Sequence, residues 1–420
     1  MSMFDYRDGV LHCEDAPLET LAAEFGTPLY VYSRTGILER YRAFAAAFDP
    51  LDRLVAYSVK ANGNLSILRL LSRAGAGADI VSGGELHRAL LAGIPADRIV
   101  FSGVGKTARE MDAALAAGIL AFNVESEGEL HLLADRAAAA GVAAPVALRV
   151  NPDIVSPTPH PYTRTGHRQT KFGVPAEDVL RLYRVAAQHP SLAPVGIDAH
   201  IGSEIVDPEP YRQALLVLLD LVGDLRDDGI QLAHIDLGGG YGLSPGLDAA
   251  AAVAPLADHI VPHLATSGLR LVLEPGRFIV ADTAVLLTRV LYVKDMGERT
   301  FVIADAGMND LLRPSHYHAH HDIQPVRPAA GVPIRVDVVG PVCETGDFLA
   351  LDRDLPRPQP GDLLAVRTAG AYGFSMASNY NSRSRPAEVL VSGTDARLIR
   401  RREDHDDLVR GEVEMLPPDR

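Results

Sequence analysis

Apolar residues along this chain gather into short β-branched runs, each closing on small or polar residues and followed by a stretch with apolar positions at three-and-four spacing. Eight such runs stand in order: RLVAYSVK (53–60), GADIVS (77–82), RIVFSG (98–103), AFNVES (121–126), PVALRVN (145–151), VGIDAHIGS (195–203), HIDLGGG (234–240) and RLVLEPG (270–276). NLSILRLLSRAG, GELHRALLAG, REMDAALAAG and GELHLLADRAAAAG lie between them, amphipathic and ending on a glycine suited to the position after a helix. Strand alternating with helix predicts a parallel sheet, and eight repeats over about 250 residues predict a (β/α)8 TIM barrel. A doubly wound sheet, the alternative, would bring together the residues of only some strands. In a barrel all strand C-termini share one rim, which here reads Lys60, Ser82, Asn151, His200, Gly238 to Gly240 and Glu274.

Beyond about residue 280 the period changes. TAVLLTRVLYVKD, RTFVIAD, IRVDVVG, DLLAVRTAG and AEVLVSG follow with turn residues and no helical pattern between them, predicting a C-terminal all-β domain. The strand-like TPLYVYS precedes the first barrel run, so the N-terminal segment is expected in that β domain. The predicted organisation is α/β: a barrel over 30–280 and a β domain formed by 1–29 plus 281–420, with PRPQPGD (356–362) as a loop between strands.

Composition narrows the function. At 47% hydrophobic over 420 residues the chain supports a large core, and its net charge of -14 supplies no basic stripe for nucleic acid, leaving a small molecule as the expected partner. The start, MSMFDYRDGVLHCED, lacks a basic segment followed by an apolar run, and no later stretch is long enough to span a bilayer uncharged. No membrane partner and a cytoplasmic location are expected. Cys13 and Cys343 form no CxxC pair, which suits a reducing compartment and leaves Cys343 to be explained.

Lysine is scarce, with Lys60, Lys106, Lys171 and Lys294 against many arginines. Lys60 closes the first barrel run at an apolar strand end, where desolvation would lower an ammonium pKa and leave a nucleophilic amine; a surface lysine is the plainer reading. DLGGGYG (236–242) follows the seventh run, where barrels commonly bind phosphate, and its glycines let backbone N–H groups close on an anion. EPGR (274–277) sets a carboxylate on the rim, suited to a pyridine nitrogen or to an ion pair with Arg277. Lysine, glycine nest and carboxylate are together what pyridoxal phosphate needs. GVGKT is no P-loop, because Val100 stands where its first glycine belongs, and DLGGGYG fails GxGxxG at Leu243. His316, His318, His320 and His321 match no ligand spacing, so no metal is expected.

With these residues in place, the chain closely resembles the fold-type III, alanine-racemase-like pyridoxal-phosphate decarboxylases, and among them the diaminopimelate decarboxylases. The resemblance spans TPLYVYS, YSVKAN, GADIVSGGEL, IVFSGVGK, FNVES, the NPD to TKFGV segment, AHIGS, LGGGYG, EPGR, LRPSHYHAHH, GPVCETGD and AGAYGFSMASNYNSRSRPAEVLV. It implies decarboxylation of meso-2,6-diaminopimelate to L-lysine and CO2, the last step of lysine biosynthesis. Lys60 would carry pyridoxal 5'-phosphate on its amine and His200 would stack on the pyridine face. Ser203, Gly239, Gly240, Gly276 and Arg277 would surround the phosphate, Glu274 would meet the ring nitrogen, and Tyr372 would complete the cofactor site. Asp79 and Asn151 share the rim, where ordinary barrel-end hydrogen bonding also accounts for them. Arg277, Arg313, Tyr317, Glu344 and Tyr372 would recognise the substrate, and Cys343 would be the acid that reprotonates it. The resemblance further implies a homodimer in which Cys343 and Glu344 serve the neighbouring subunit's site. One departure is RPSHYHAHH, where histidines replace the more usual side chains around Tyr317. The competing readings are decarboxylation of ornithine, arginine or lysine by the same machinery, an alanine racemase, against which Glu274 argues, and a non-catalytic pyridoxal-phosphate-binding regulator.

Overall fold

The computed structural model describes residues 3–154, 170–244, 246–328 and 331–416, so the middle of the NPD to TKFGV segment lies outside the described residues. The chain divides into two compact units, Leu38–Ile279 and Met1–Ile37 with Val280–Arg420.

In the first unit, eight parallel strands among the described residues close a barrel: Arg53–Ser58, Gly77–Ile80, Ile99–Phe101, Ala121–Val124, Ala144–Asn151, Leu192–Asp198, His234–Asp236 and Arg270–Leu273. The last ladder returns to the first, with Leu273 opposite Val55, and the fourth meets the fifth with Val124 opposite Leu148. Each strand coincides with one of the apolar runs. Their alternate positions fill the interior, where Leu54, Ala56, Val100, Ala121, Ala147 and Val272 form one buried cluster. The helices between strands start and stop as their sequences direct. Thr107 and Glu110 form a reciprocal capping box, Ser126 caps the helix Glu127–Ala140, and that helix ends on Gly141 at φ 69°. Ser82 belongs to this set rather than to the chemistry of the rim: its hydroxyl accepts from the Glu85 N–H and caps the helix Gly83–Leu91.

Two packing features fix the rim. Lys106, the lysine of GVGK, is buried and donates to the Gly103 and Asn123 carbonyls at 2.8 and 2.7 Å and to Glu129 at 2.7 Å, tying the loops after the third and fourth strands together. At the seventh strand, main chain packs on main chain. A Cβ at Gly239 would lie 2.1 Å from the Glu274 carbonyl oxygen, and one at Gly240, whose φ is +88°, would lie 1.8 Å from that of Gly202. Only glycine allows this approach.

The second unit is built on sheets. Leu29–Ser33, the strand of TPLYVYS, pairs antiparallel with Ala284–Asp295 and parallel with Ala387–Ser392. Its period of two sends Leu29 and Val31 into a core with Val285, Leu287 and Val389. Tyr30 and Tyr32 are buried as well, with their hydroxyls donating to the Asp310 carbonyl and the Glu388 carboxylate. The strand Phe348–Pro356 and the hairpin partner Asp395–Arg400 were not among the predicted runs, and a short helix, Arg313–Tyr317, interrupts what the sequence predicts as strands and turns alone.

Replacing Lys106 by Met strands Glu129 in the interior, and unfolding in urea is expected to show a loss of about 3–5 kcal/mol. Gly240→Ala forces the 202–205 segment aside and is expected to lower stability by about 1–3 kcal/mol by the same measurement.

Candidate active site

The barrel rim gathers the predicted residues from six strand ends. Lys60 lies in the short turn Val59–Ala61 after the first strand, and its Nζ donates to Asp79 at 2.8 Å. Asp79 ends the neighbouring ladder and is fully buried, also accepting from the Ser58 hydroxyl. Burial pushes its carboxyl up, but the Lys60 charge, the hydrogen bonds from Lys60 and Ser58, and His200 together hold it below the usual carboxylate value. Asp79 is therefore charged and keeps the Lys60 amine on the rim.

His200 follows the sixth strand. Burial, reinforced by the positive charges of Arg149 and Lys60, pushes its imidazole well below the ordinary value. The Gly239 N–H donates to its Nδ1 at 3.0 Å, which fixes the tautomer as well as the ring plane of a neutral histidine. The same glycine turn approaches Ser203, whose Cα would lie 3.4 Å from a Cβ on Gly240. Gly276 packs as closely on the first strand end, where a Cβ would meet those of Ser58 and Ala61 at 2.9 Å.

Glu274 is buried at the end of the eighth strand and receives the Ser102 hydroxyl at 3.3 Å. Burial, followed by the charges of Asp236, Asp79 and Asp198, pushes its carboxyl well above the ordinary value. Its ion pair with Arg277, the plainer reading of EPGR, does not form. Arg277 pairs instead with Glu204 at 2.7 Å, which leaves Glu274 available to a ligand. Asn151 turns its amide towards the 170–172 segment, with Nδ2 3.4 Å from the Phe172 carbonyl and Oδ1 accepting from the Asp153 N–H. This is the local barrel-end bonding that also suited it in the sequence.

Several functional neighbours carried no motif. Glu204 sits at φ +63° beyond Ser203. Asp198 and Asp236 end the sixth and seventh strands and bring carboxylate oxygens within 4.8 Å of each other and of Glu274. Burial, with their mutual charge, raises Asp198 well above the ordinary value, while burial raises Asp236 to about 6. Buried Arg149 pairs with Glu125 at 3.0 Å and lies 3.9 Å from Asp198, so positive charge already reaches this cluster. The sequence signal for both aspartates is their place at strand ends, in GIDAH and HIDLGGG.

The predicted residues of the sheet unit form a group of their own. Arg313 is buried at the start of its helix, its guanidinium 5.9 Å from the centre of the Tyr317 ring. Tyr372 is held at φ +57° in a loop between Gly370 and Gly373, at each of which a Cβ would strike backbone. Cys343 is a free, exposed thiol, and Glu344 beside it is exposed. The histidines take separate partners: His316 meets the Tyr317 ring, His318 stacks on Phe348, His320 contacts Asp322, and His321 contacts the Arg367 carbonyl.

The barrel rim fits pyridoxal phosphate. The close-packed turn at 239–240 offers an anion main chain without side chains, Arg277 adds a cation, the Lys60 amine is held by a carboxylate, and Glu274 brings a buried carboxyl for a ring nitrogen. No helix among the described residues is long and apolar enough to cross a membrane. The profile of the pyridoxal-dependent decarboxylase family, pyridoxal-binding domain, matches residues 34–281. The chain is 50% identical over 417 residues to the diaminopimelate decarboxylase of Pseudomonas aeruginosa, covering 99% of this chain and 100% of that one. The structure of diaminopimelate decarboxylase from Helicobacter pylori complexed with L-lysine is 42% identical, with a TM-score of 0.90 over 95% of this chain and 100% of that one. That of the M. jannaschii enzyme, also in complex with L-lysine, is 37% identical with a TM-score of 0.92 over 99% and 98%. A lysine, a glycine cradle and a buried glutamate on one barrel rim, carried in a chain with full-length relatives of this kind, make it a member of the diaminopimelate decarboxylase family of pyridoxal-phosphate-dependent enzymes.

Proposed function

We propose that this chain removes one carboxylate of meso-2,6-diaminopimelate to give L-lysine and CO2, the last step of lysine biosynthesis, working as a cytoplasmic homodimer. The observation that carries this reading is the rim itself: Lys60 on charged Asp79, the bare main chain at Gly239 and Gly240, and buried Glu274. The 50% identity to a named diaminopimelate decarboxylase supports the choice of substrate. Free Cys13 and Cys343 suit a reducing compartment. Exposed Cys343 and Glu344 are suited to serving a neighbouring subunit.

Bound pyridoxal phosphate supplies an electron-accepting ring for the electrons of the broken carbon–carboxylate bond. Lys60 holds the cofactor through its amine, Ser203, Gly239, Gly240, Gly276 and Arg277 hold its phosphate, and Tyr372 completes the cofactor site. Glu274 would face the ring nitrogen, and burial with the charges of Asp236, Asp79 and Asp198 raises its carboxyl well above the ordinary value. His200 would lie against the cofactor ring, and burial with the charges of Arg149 and Lys60 lowers its imidazole well below the ordinary value, which favours the neutral ring. Asp79 keeps the Lys60 amine in place. Arg277, Arg313, Tyr317, Glu344 and Tyr372 recognise the charged groups of the substrate and orient the bond to be broken. Cys343 delivers a proton to the carbon that has lost CO2.

Product formation from meso-diaminopimelate, L-ornithine, L-arginine and L-lysine, each assayed with added pyridoxal phosphate, is expected to show L-lysine and CO2 from diaminopimelate only. CO2 from another amino acid instead would overturn the substrate, and none from any would overturn the reaction. Lys60→Ala is expected to lose the visible absorbance of the bound cofactor, whereas Cys343→Ala retains it and lowers kcat by about 10²–10⁴-fold, the range for a lost general acid.

A further inference from the structure

The loop bearing Cys343 and Glu344 is anchored on one side by Asp347, whose buried carboxylate accepts the main-chain N–H groups of Val342 and Met308, both at 2.6 Å. The turn closes on itself, Glu344 N–H to the Val342 carbonyl at 2.8 Å and Asp347 N–H to the Glu344 carbonyl at 3.1 Å. These bonds hold the ends of the loop and leave exposed Cys343 and Glu344 to another support. That support comes from the SNYNSR segment, 378–383. The Cys343 N–H donates to Asn381 Oδ1 at 2.8 Å, and the Tyr380 phenol is hydrogen-bonded to the Glu344 carboxylate.

The segment is built to present these groups. Asn381 and Ser382 both take left-handed backbone, at φ +55° and +53°. Two such residues in succession persist only where the surroundings enforce them. The enforcing bonds lie on either side: Ser378 N–H to the Asn309 carbonyl at 2.9 Å, Asn379 Nδ2 to Glu403 at 2.6 Å, and the Arg383 guanidinium to the Asp305 carbonyl at 3.0 Å. A turn held this way carries Asn381 and Tyr380 to successive residues of the Cys343 loop.

We propose that Tyr380 and Asn381 are positioning residues for the decarboxylation, Asn381 fixing the main chain that carries the Cys343 thiol and Tyr380 fixing the Glu344 carboxylate that receives the substrate's distal ammonium. The inference rests on the roles given above to Cys343 and Glu344. A carboxylate already oriented by a phenol loses less freedom when a cation arrives, so the Tyr380 bond acts on substrate binding. A thiol whose main chain is fixed meets its target carbon in one geometry, so the Asn381 bond acts on turnover.

Steady-state kinetics of the purified holoenzyme on meso-diaminopimelate, with thermal unfolding of each variant, tests the split. Tyr380→Phe is expected to raise KM about tenfold with kcat held within about twofold, the loss of one hydrogen bond to a charged group. Asn381→Gly keeps the left-handed backbone and removes only the acceptor; kcat is expected to fall about tenfold with KM little changed, and Asn381→Asp, which retains the acceptor, to recover most of it. Combined with Glu344→Gln, Tyr380→Phe adds nothing further to KM. Lower melting temperatures with unchanged kcat and KM would make the segment merely structural and overturn the inference. The same kinetic silence beside a raised KM in Glu344→Gln and a lowered kcat in Cys343→Ala overturns the inference alone. Silence in Glu344→Gln and Cys343→Ala themselves overturns the roles on which it rests, and the inference with them. Should Asn381→Gly fail to fold, Tyr380→Phe and its combination with Glu344→Gln decide the question.

Discussion

A side chain of any size at 239 or 240 would run into the carbonyl oxygen of Glu274 or Gly202, and so the loops after the sixth, seventh and eighth barrel strands can share one floor only because that turn is bare main chain. Much of the rim follows from this approach. It carries the Gly239 N–H to His200, sets the tautomer of that ring, and places Ser203 beside the turn. It also brings the Glu274 main chain against the glycines, with the Glu274 N–H donating to the Gly238 carbonyl at 2.8 Å.

Burial then divides the carboxyls of the rim into two kinds. Asp79 has Lys60 against it and stays charged, whereas burial and the charges of neighbouring acids push Glu274 well above the ordinary carboxylate value. The two side chains carry the same functional group, and their different behaviour comes entirely from their neighbours. One carboxyl holds an amine; the other is prepared for a nitrogen base. The sequence offers Arg277 as an ion-pair partner for Glu274, yet Arg277 is occupied by Glu204, and buried Arg149 pairs with Glu125.

The barrel was legible because its strands are read by local rules: β-branched runs of about the right length, helices with capping serines and terminal glycines. The lysine, the glycine turn and the EPGR carboxylate were legible because strand ends in this fold have one destination. What escaped lies beyond local pattern. Glu204 is an ordinary loop residue until Arg277 is placed opposite it, and Asp198 and Asp236 are ordinary strand residues until the barrel closes. Ser82 was read as rim chemistry because a serine after a strand and a serine before a helix are the same residue in a βα unit. The strand Phe348–Pro356 was hidden by its charged LDRD stretch, which alternates poorly between apolar and polar positions. The turn that supports Cys343 escaped because its order comes from bonds to distant carbonyls rather than from any turn motif.

The order of strands in the sheet unit has a consequence for biosynthesis. Leu29–Ser33 lies between Ala284–Asp295 and Ala387–Ser392, so one of the earliest strands to be translated finds its partners only beyond the barrel segment. The barrel segment, Leu38–Ile279, is complete in sequence long before then. On the ribosome the barrel can therefore begin to fold while the nascent chain still displays an apolar N-terminal strand with both edges open, and chaperone capture of that strand would matter most in this interval.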